Sequence, residues 1–166
     1  MKVFGVTGWK NSGKTTLMER LVSEICVRGF TVSTIKHAHH NVDVDQPGKD
    51  SHRHRQAGAS EVILASNTRW ALMHELRGAE EPTLEMLLAR LSPVDLVLIE
   101  GYKREDHPKL EAAQAPGTRP LLALKDSHIA AVAAGYETPP LPVPVLDINN
   151  IPAIADFVLR ETGLAK

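Results

Sequence analysis

Apolar positions along this chain change period several times, and the changes mark out an alternation of strands and helices. Val3-Phe4-Gly5-Val6-Thr7 is a short β-leaning run. Leu17, Met18, Leu21, Val22 and Ile25 then recur at helical spacing, with Gly29 placed to end the helix. Residues 30–35 read as a second strand, so the opening β-α-β unit predicts a parallel pair with a right-handed crossover. Residues 37–60 are polar, with a short helix expected over 50–57. Glu61–Ala65 and residues 69–74 predict two strands joined at Ser66-Asn67-Thr68 as a hairpin. Residues 83–91 are amphipathic through Leu84, Leu87, Leu88 and Leu91. Asp95-Leu96-Val97-Leu98-Ile99 is nearly all apolar, as in a strand covered on both faces. Residues 103–118 are polar and read as loop. Residues 121–124 and Ile129–Ala134 are expected strands, and Pro139, Pro140, Pro142 and Pro144 then interrupt regular structure before Val145-Leu146. Asn149 or Asn150 can cap a last helix, with Pro152 in its first turn and Ile151, Ile154, Phe157 and Val158 as its buried stripe.

Composition narrows the class. The 166 residues are expected to form one domain spanning 1–166 with a substantial core. Aromatic residues make up only 4%, so that core must be aliphatic. The net charge of −1 offers no global basic field for a nucleic-acid partner. No apolar run approaches the roughly 20 residues of a membrane span, and with the first strand expected at once no signal peptide is expected. A soluble, cytoplasmic protein is expected. The single cysteine, Cys26, excludes an internal disulfide and falls on the apolar side of the first helix, where a buried thiol is expected.

The chemistry is concentrated in Gly8-Trp9-Lys10-Asn11-Ser12-Gly13-Lys14-Thr15, which reads G-x-x-x-x-G-K-T, followed by Thr16. In this phosphate-binding loop the glycines let backbone N–H groups face phosphate oxygens. Lys14 reaches the β and γ phosphates, and the Thr15 hydroxyl is placed for Mg²⁺. The following helix points its positive end at the same anion. Strand, loop and helix occur in the required order. The predicted fold is therefore a three-layer α/β P-loop NTPase fold with a mainly parallel sheet.

Such a site normally draws an acid from a neighbouring strand. Asp95 and Glu100 flank the best candidate, and a rise of about 3.3 Å per residue separates them by roughly 17 Å. Ligands bind beyond the carboxyl ends of parallel strands, which selects Glu100, as metal ligand or water-orienting base. Lys36-His37-Ala38-His39-His40 leaves the second strand at the same end, so Lys36 and His37 are expected beside the nucleotide. Three uses of the polar segment stay open. It can be an anion-binding surface through Lys36, Lys49, Arg53 and Arg55. It can be a metal site through His37, His39, His40, His52 or His54, although no cysteine or H-E-x-x-H spacing supports zinc. It can also be a solvated connection. Asp45 and Asp50 are candidates for a second Mg²⁺ contact, direct or through water. The guanine-reading [NT]-K-x-D tetrad is absent. Leu124-Lys125-Asp126-Ser127 comes nearest, making Asp126 the candidate acceptor for guanine N–H groups. Besides a GTP-binding adaptor, the residues are compatible with a small-molecule kinase or a nucleotide-driven metal chaperone.

Together, G-W-K-N-S-G-K-T, I-K-H-A-H-H-N-V-D-V-D-Q-P-G-K-D-S at 35–51, A-G-A at 57–59, R-W-A-L-M, L-V-L-I-E-G-Y-K, L-D-I-N-N and A-D-F-V resemble the molybdopterin-guanine dinucleotide biosynthesis protein B (MobB) family. The resemblance spans nearly the whole chain and is most specific at 35–51. It implies a GTP-binding, weakly GTP-hydrolysing homodimer that assists a molybdopterin guanylyltransferase, the partner that attaches GMP to molybdopterin. On that resemblance the octet would bind GTP phosphates and Mg²⁺, and Glu100 would form the second acidic motif. Residues 37–51 would border the nucleotide, with molybdopterin or its phosphate as a further contact. Asp126 aligns only loosely with a base-contacting region.

Overall fold

The computed structural model describes residues 1–38 and 43–165. The chain divides into two compact units, one formed by residues 1–37 and 91–166 and the other by residues 38–90.

The first unit is built on a six-stranded sheet in which every neighbouring pair is parallel. Its strands are β1 (Lys2–Thr7), β2 (Val32–Lys36), β5 (Leu96–Glu100), β6 (Lys109–Ala113), β7 (Ile129–Ala134) and β8 (Val145–Asp147), in the order β2-β5-β1-β6-β7-β8. The α/β class and the parallel sheet match the sequence expectation. β1 and β2 are parallel but not adjacent, because β5 lies between them. The cause is apolar content: Leu96, Val97, Leu98 and Ile99 are all fully buried, which only a central strand allows.

Helices α1 (Lys14–Val27) and α4 (Ile151–Glu161) cover one face of this sheet. Leu17, Met18, Leu21 and Ile25 of α1 meet Ile151, Ile154, Ala155 and Val158 of α4, above Phe4, Val6, Leu98 and Leu110. Arg28 ties the helices together by donating to Asp156 and to the Pro152 carbonyl. α1 ends as expected: Gly29 has φ +91°, and the Phe30 N–H donates to the Ile25 carbonyl. Asn150 caps α4, its side chain accepting from Ala153 N–H at 3.2 Å. Cys26 corrects the sequence reading. It is exposed, just beyond the stripe that ends at Ile25.

The opposite face holds Ala113, Ile129, Val132 and Ala134 under a 3-10 turn at Leu122–Leu124. Two further expectations fail here. Residues 103–118 contain β6, a central strand, and the expected strand at 121–124 is instead the 3-10 turn at Leu122–Leu124. One side chain accounts for both. Glu111 of β6 is fully buried, and its carboxylate accepts the N–H groups of Leu122 and Ala123, each at 2.9 Å. Those bonds compensate a buried acid and remove the donors a strand at 121–124 would need. Lys109, also fully buried, donates to the Glu105 carbonyl and lies 3.5 Å from Asp126.

The second unit contains α2 (Asp50–Gln56), the antiparallel hairpin β3 (Glu61–Ala65) and β4 (Trp70–His74), and α3 (Leu84–Leu88). α2 and the hairpin were expected from the sequence, and α3 falls within the amphipathic stretch at 83–91. Thr83 caps α3 by accepting from Met86 N–H at 3.2 Å.

Gly5 sits under the imidazole of His107, and a Cβ there would come within 2.5 Å of His107 Nε2 and 2.9 Å of Lys109 Cβ. Burial, reinforced by the Lys109 charge, holds the His107 ring neutral, with its pKa down at about 4. Gly5→Ala is expected to destabilise the protein by about 1–3 kcal/mol through overpacking. Urea denaturation checks this, and an unchanged midpoint would show that the His107 loop yields freely.

Candidate functional site

The phosphate loop leaves β1 where the strand meets β6. Gly8 has φ +143°, and a Cβ on it would lie 2.6 Å from the Ala112 carbonyl oxygen, so only glycine fits this seat. The Gln114 N–H, just past β6, donates to the Ser12 carbonyl at 3.1 Å. Asn11 takes φ +62° and Gly13 φ +88°, turning the loop tightly before α1 starts. No side chain caps α1, and its first turn carries no acid. The positive end of a 14-residue helix therefore opens towards the loop with no acid of its own first turn to neutralise it. Ser12 Oγ is buried with no hydrogen-bond partner. The tight glycine seat, the uncapped helix and the orphaned hydroxyl fit a phosphate-bearing ligand.

Lys14 and Thr15 stand at the mouth. Lys14 Nζ donates to the Trp9 carbonyl at 2.6 Å. Burial pushes its ammonium below the ordinary lysine range, and the nearby Lys103 ammonium adds to that, while Glu100 opposes it. Thr15 Oγ1 donates to Glu100 Oε1 at 3.2 Å, joining the loop to the carboxyl end of β5. Lys36 Nζ, at the end of β2, lies 3.4 Å from the same oxygen. The structure thus brings together Thr15, Glu100 and Lys36, three predicted residues from three elements. The hydroxyl and carboxylate oxygens are hard donors of the kind Mg²⁺ takes. His37 follows directly, its N–H donating to the Glu100 carbonyl at 2.9 Å. Its ring lies 4.7 Å from that of Tyr102. Asp95 is at the other end of β5, where its carboxylate accepts the Thr31 N–H and hydroxyl at 2.7 Å each. Those bonds hold it below the usual carboxylate range.

Trp9, Lys10, Gly117, Thr118 and Arg119 line a cleft of about 280 Å³ beside the loop. Trp9 Nε1 donates to the Pro120 carbonyl at 2.9 Å, and Thr16 opens α1's exposed side. Asp126 is elsewhere. It precedes β7, and its carboxylate accepts from His128 N–H at 2.9 Å beside Lys109, whose register partner on β1 is Gly5. That is three residues short of Gly8, or about 10 Å along the strand.

Asp45 and Asp50 belong to the second unit, where their described partners are local. Asp45 accepts from Ser51 Oγ at 2.8 Å and Arg55 Nε at 3.1 Å, and its side chain is only 5% exposed. Burial acts to raise its pKa, but Ser51 and Arg55 hold it below the ordinary value. Arg55 also binds Asp43 and Glu75, each at 2.8 Å. Asp50 is open to solvent, 3.9 Å from Arg53. His39 and His40 lie outside the described residues. Among the described residues no group of three or more His, Cys, Asp or Glu could hold a metal ion.

Sequence reasoning missed Gln114, Glu111 and Lys103. All three fall in the stretch at 103–118 read as loop. Lys103 was in view as the last letter of L-V-L-I-E-G-Y-K, three residues after Glu100. Its ammonium lies 4.4 Å from the Trp9 ring centroid.

Comparison with known proteins agrees with this geometry. Residues 3–135 match the model of the family described as molybdopterin guanine dinucleotide synthesis protein B. The molybdopterin-guanine dinucleotide biosynthesis adapter protein of Escherichia coli is 44% identical over 155 residues, covering 92% of this chain and 88% of the relative. That of Haemophilus influenzae is 45% identical over 160 residues, covering 94% and 86%. The crystal structure of Bacillus subtilis MobB superposes with a TM-score of 0.78 at 26% identity, covering 98% of each chain. A MobB homologue from Bacillus stearothermophilus gives 0.71 at 27% identity, covering 99% and 100%.

Glu111 offers a pH test of the support beneath the loop. Burial raises its pKa above the ordinary 4.5, against the opposing bonds from Leu122 and Ala123. A raised acid favours its neutral form in the fold. Its stabilisation is complete below its unfolded value and is lost as pH rises through the folded one. Glu111→Gln should therefore lose less stability than the wild type as pH rises above the ordinary 4.5. Parallel urea midpoints across that range would refute the assignment.

Proposed function

The chain belongs to the molybdopterin guanine dinucleotide synthesis protein B family, and on that footing we propose that it is a GTP-binding adaptor in the assembly of the guanine dinucleotide form of the molybdenum cofactor. The observation that carries the nucleotide reading is the 3.2 Å bond between Thr15 and Glu100, made at the uncapped end of α1 with Lys14 alongside. Gly8, Trp9, Lys10, Asn11, Ser12, Gly13 and Thr16 complete the phosphate cradle in this reading, and Lys36 and His37 border it. Thr15 and Glu100 would hold Mg²⁺, which when bound offsets charge on the β and γ phosphates. Lys14 would stabilise charge on the terminal phosphoryl group, and Glu100 would also orient water. In this reading hydrolysis is slow, and Arg119, 4.7 Å from the Trp9 ring, is an arginine beside the loop. Guanine specificity rests on the family's product rather than on a base-reading residue.

In this reading residues 1–166 act as one nucleotide-binding domain, serving a guanylyltransferase in the cytoplasm as a homodimer. No helix among the described residues is long and apolar enough to cross a membrane. Self-association is supported by the hairpin, which forms a two-stranded sheet of its own. Ile63 and Leu72 are register partners on one face, alongside Trp70, and Ile63 and Trp70 are 66% and 67% exposed.

Two measurements test these proposals. Isothermal titration should give binding of GTP over ATP, with Lys14→Ala losing at least about tenfold in GTP affinity and Glu100→Gln losing Mg²⁺ dependence. A clear ATP preference would sink the guanine reading. In sedimentation velocity the wild type should run as a dimer and Trp70→Glu as a monomer; a wild-type monomer at micromolar concentration would refute the hairpin interface.

A further inference from the structure

Lys103 and Arg119 are cations beside the phosphate loop that the nucleotide reading leaves without a task, and Lys103 comes from the turn that follows Glu100. It reaches the loop through a tight turn at the carboxyl end of β5. Gly101 takes φ +102°, and a Cβ there would meet His37 Cβ at 3.0 Å. Tyr102 takes φ +45°, an unfavourable conformation for a residue with a side chain. The Gly101 N–H donates to the Val6 carbonyl at 3.2 Å, which pins the turn to β1 just before the loop. Two left-handed residues in succession reverse the chain, so that Lys103 comes back over Trp9.

There its ammonium rests on the indole, 4.4 Å from the ring centroid, in the residue whose carbonyl holds Lys14 Nζ at 2.6 Å. Both lysines thus converge on Trp9, one through its backbone and one through its ring. Arg119 adds a third cation, 4.7 Å from the same ring. No carboxylate among the described residues lies within ion-pair distance of Lys103. Burial lowers its pKa and Arg119 adds to the effect, while the buried Glu111 acts the other way. A lysine that is half-buried, crowded by like charge and held only by a π face will exchange that contact for a charge-assisted bond to an anion.

We propose that Lys103 is a second phosphate-contacting lysine, which leaves the Trp9 ring for the terminal phosphate of a bound nucleoside triphosphate and so distinguishes triphosphate from diphosphate. The proposal rests on the nucleotide reading above and assigns a residue that reading does not use. The Gly101-Tyr102 turn supplies the reach. Glu100, immediately before it, ties the same turn to Thr15, so metal and terminal phosphate are sensed by one short segment.

The test compares a non-hydrolysable GTP analogue with GDP, in Mg²⁺, by calorimetric titration of the wild type, Lys103→Ala and Lys103→Arg. Lys103→Ala should bind the analogue about tenfold more weakly and GDP within about twofold of wild type, with Lys103→Arg recovering most of the loss. In a Trp70→Phe background, which leaves Trp9 as the only tryptophan, the analogue should shift the emission. GDP should not, and Lys103→Ala should abolish the shift. Equal losses for both nucleotides, or no loss while wild type binds both, would overturn the role of Lys103 alone. Wild-type protein that binds neither nucleotide would instead overturn the phosphate-loop reading, and this proposal with it.

Discussion

The candidate site depends on a close approach of two backbones, where the phosphate loop settles on the end of β6. A Cβ on Gly8 would stand 2.6 Å from the Ala112 carbonyl, and Gln114 N–H takes the Ser12 carbonyl. A loop that turns its N–H groups towards an anion must find partners for its carbonyls elsewhere. Here Ser12 finds one in Gln114, and the Trp9 carbonyl finds one in Lys14. The loop's conformation is therefore set by the neighbouring strand as much as by its own glycines. β6 in turn holds its central place only because its two inward charges are compensated. Glu111 takes the N–H groups of Leu122 and Ala123, and Lys109 takes the Glu105 carbonyl.

Charge on this unit is unevenly distributed in a way that suits an anionic ligand. Lys14, Lys36, Lys103 and Arg119 gather around the loop, against Glu100 and the buried Glu111. Burial and the neighbouring cations hold the Lys14 and Lys103 ammoniums below the ordinary lysine range, and a bound polyanion would relieve that repulsion. The same arrangement gives Glu100 two claims on one oxygen, from Thr15 and from Lys36. Thr15 and Lys36 thus meet at one carboxylate oxygen, which joins the end of β2 to the start of α1 through Glu100.

The polar segment is organised differently. Arg55, with a side chain only 11% exposed, gathers Asp43, Asp45 and Glu75 around one guanidinium, and Arg77 donates to the Arg55 carbonyl. Several charges that look like chemistry in the linear sequence are therefore one another's partners. Density of ionisable residues marks a segment as unusual, but it does not separate a ligand site from an internal network, because pairing is decided by which side chains meet in space.

The octet, the helix after it and Glu100 could be read from the chain because each follows from local rules. Glycine spacing permits the turn, helical periodicity orients α1, and strand rise puts only Glu100 at the ligand end of β5. The hairpin and the capped last helix were legible for the same reason. β6 was not, since the buried Lys109 and Glu111 break its apolar run, and the partners that make their burial tolerable come from outside the strand. The 3-10 turn at Leu122–Leu124 was hidden with it, because the acid that shapes the turn lies on that strand. Cys26 was misplaced because one residue beyond the buried stripe suffices to turn a side chain outward. The sequence by itself determined that a phosphate loop, a parallel sheet and an acid at its carboxyl edge would occur together. Only the tertiary structure decided that β5 and β6 flank β1, that Glu111 bends residues 122–124 into a turn, and that Lys103 comes to rest on Trp9. Those outcomes depend on desolvated charges finding partners across the fold, which no local period encodes.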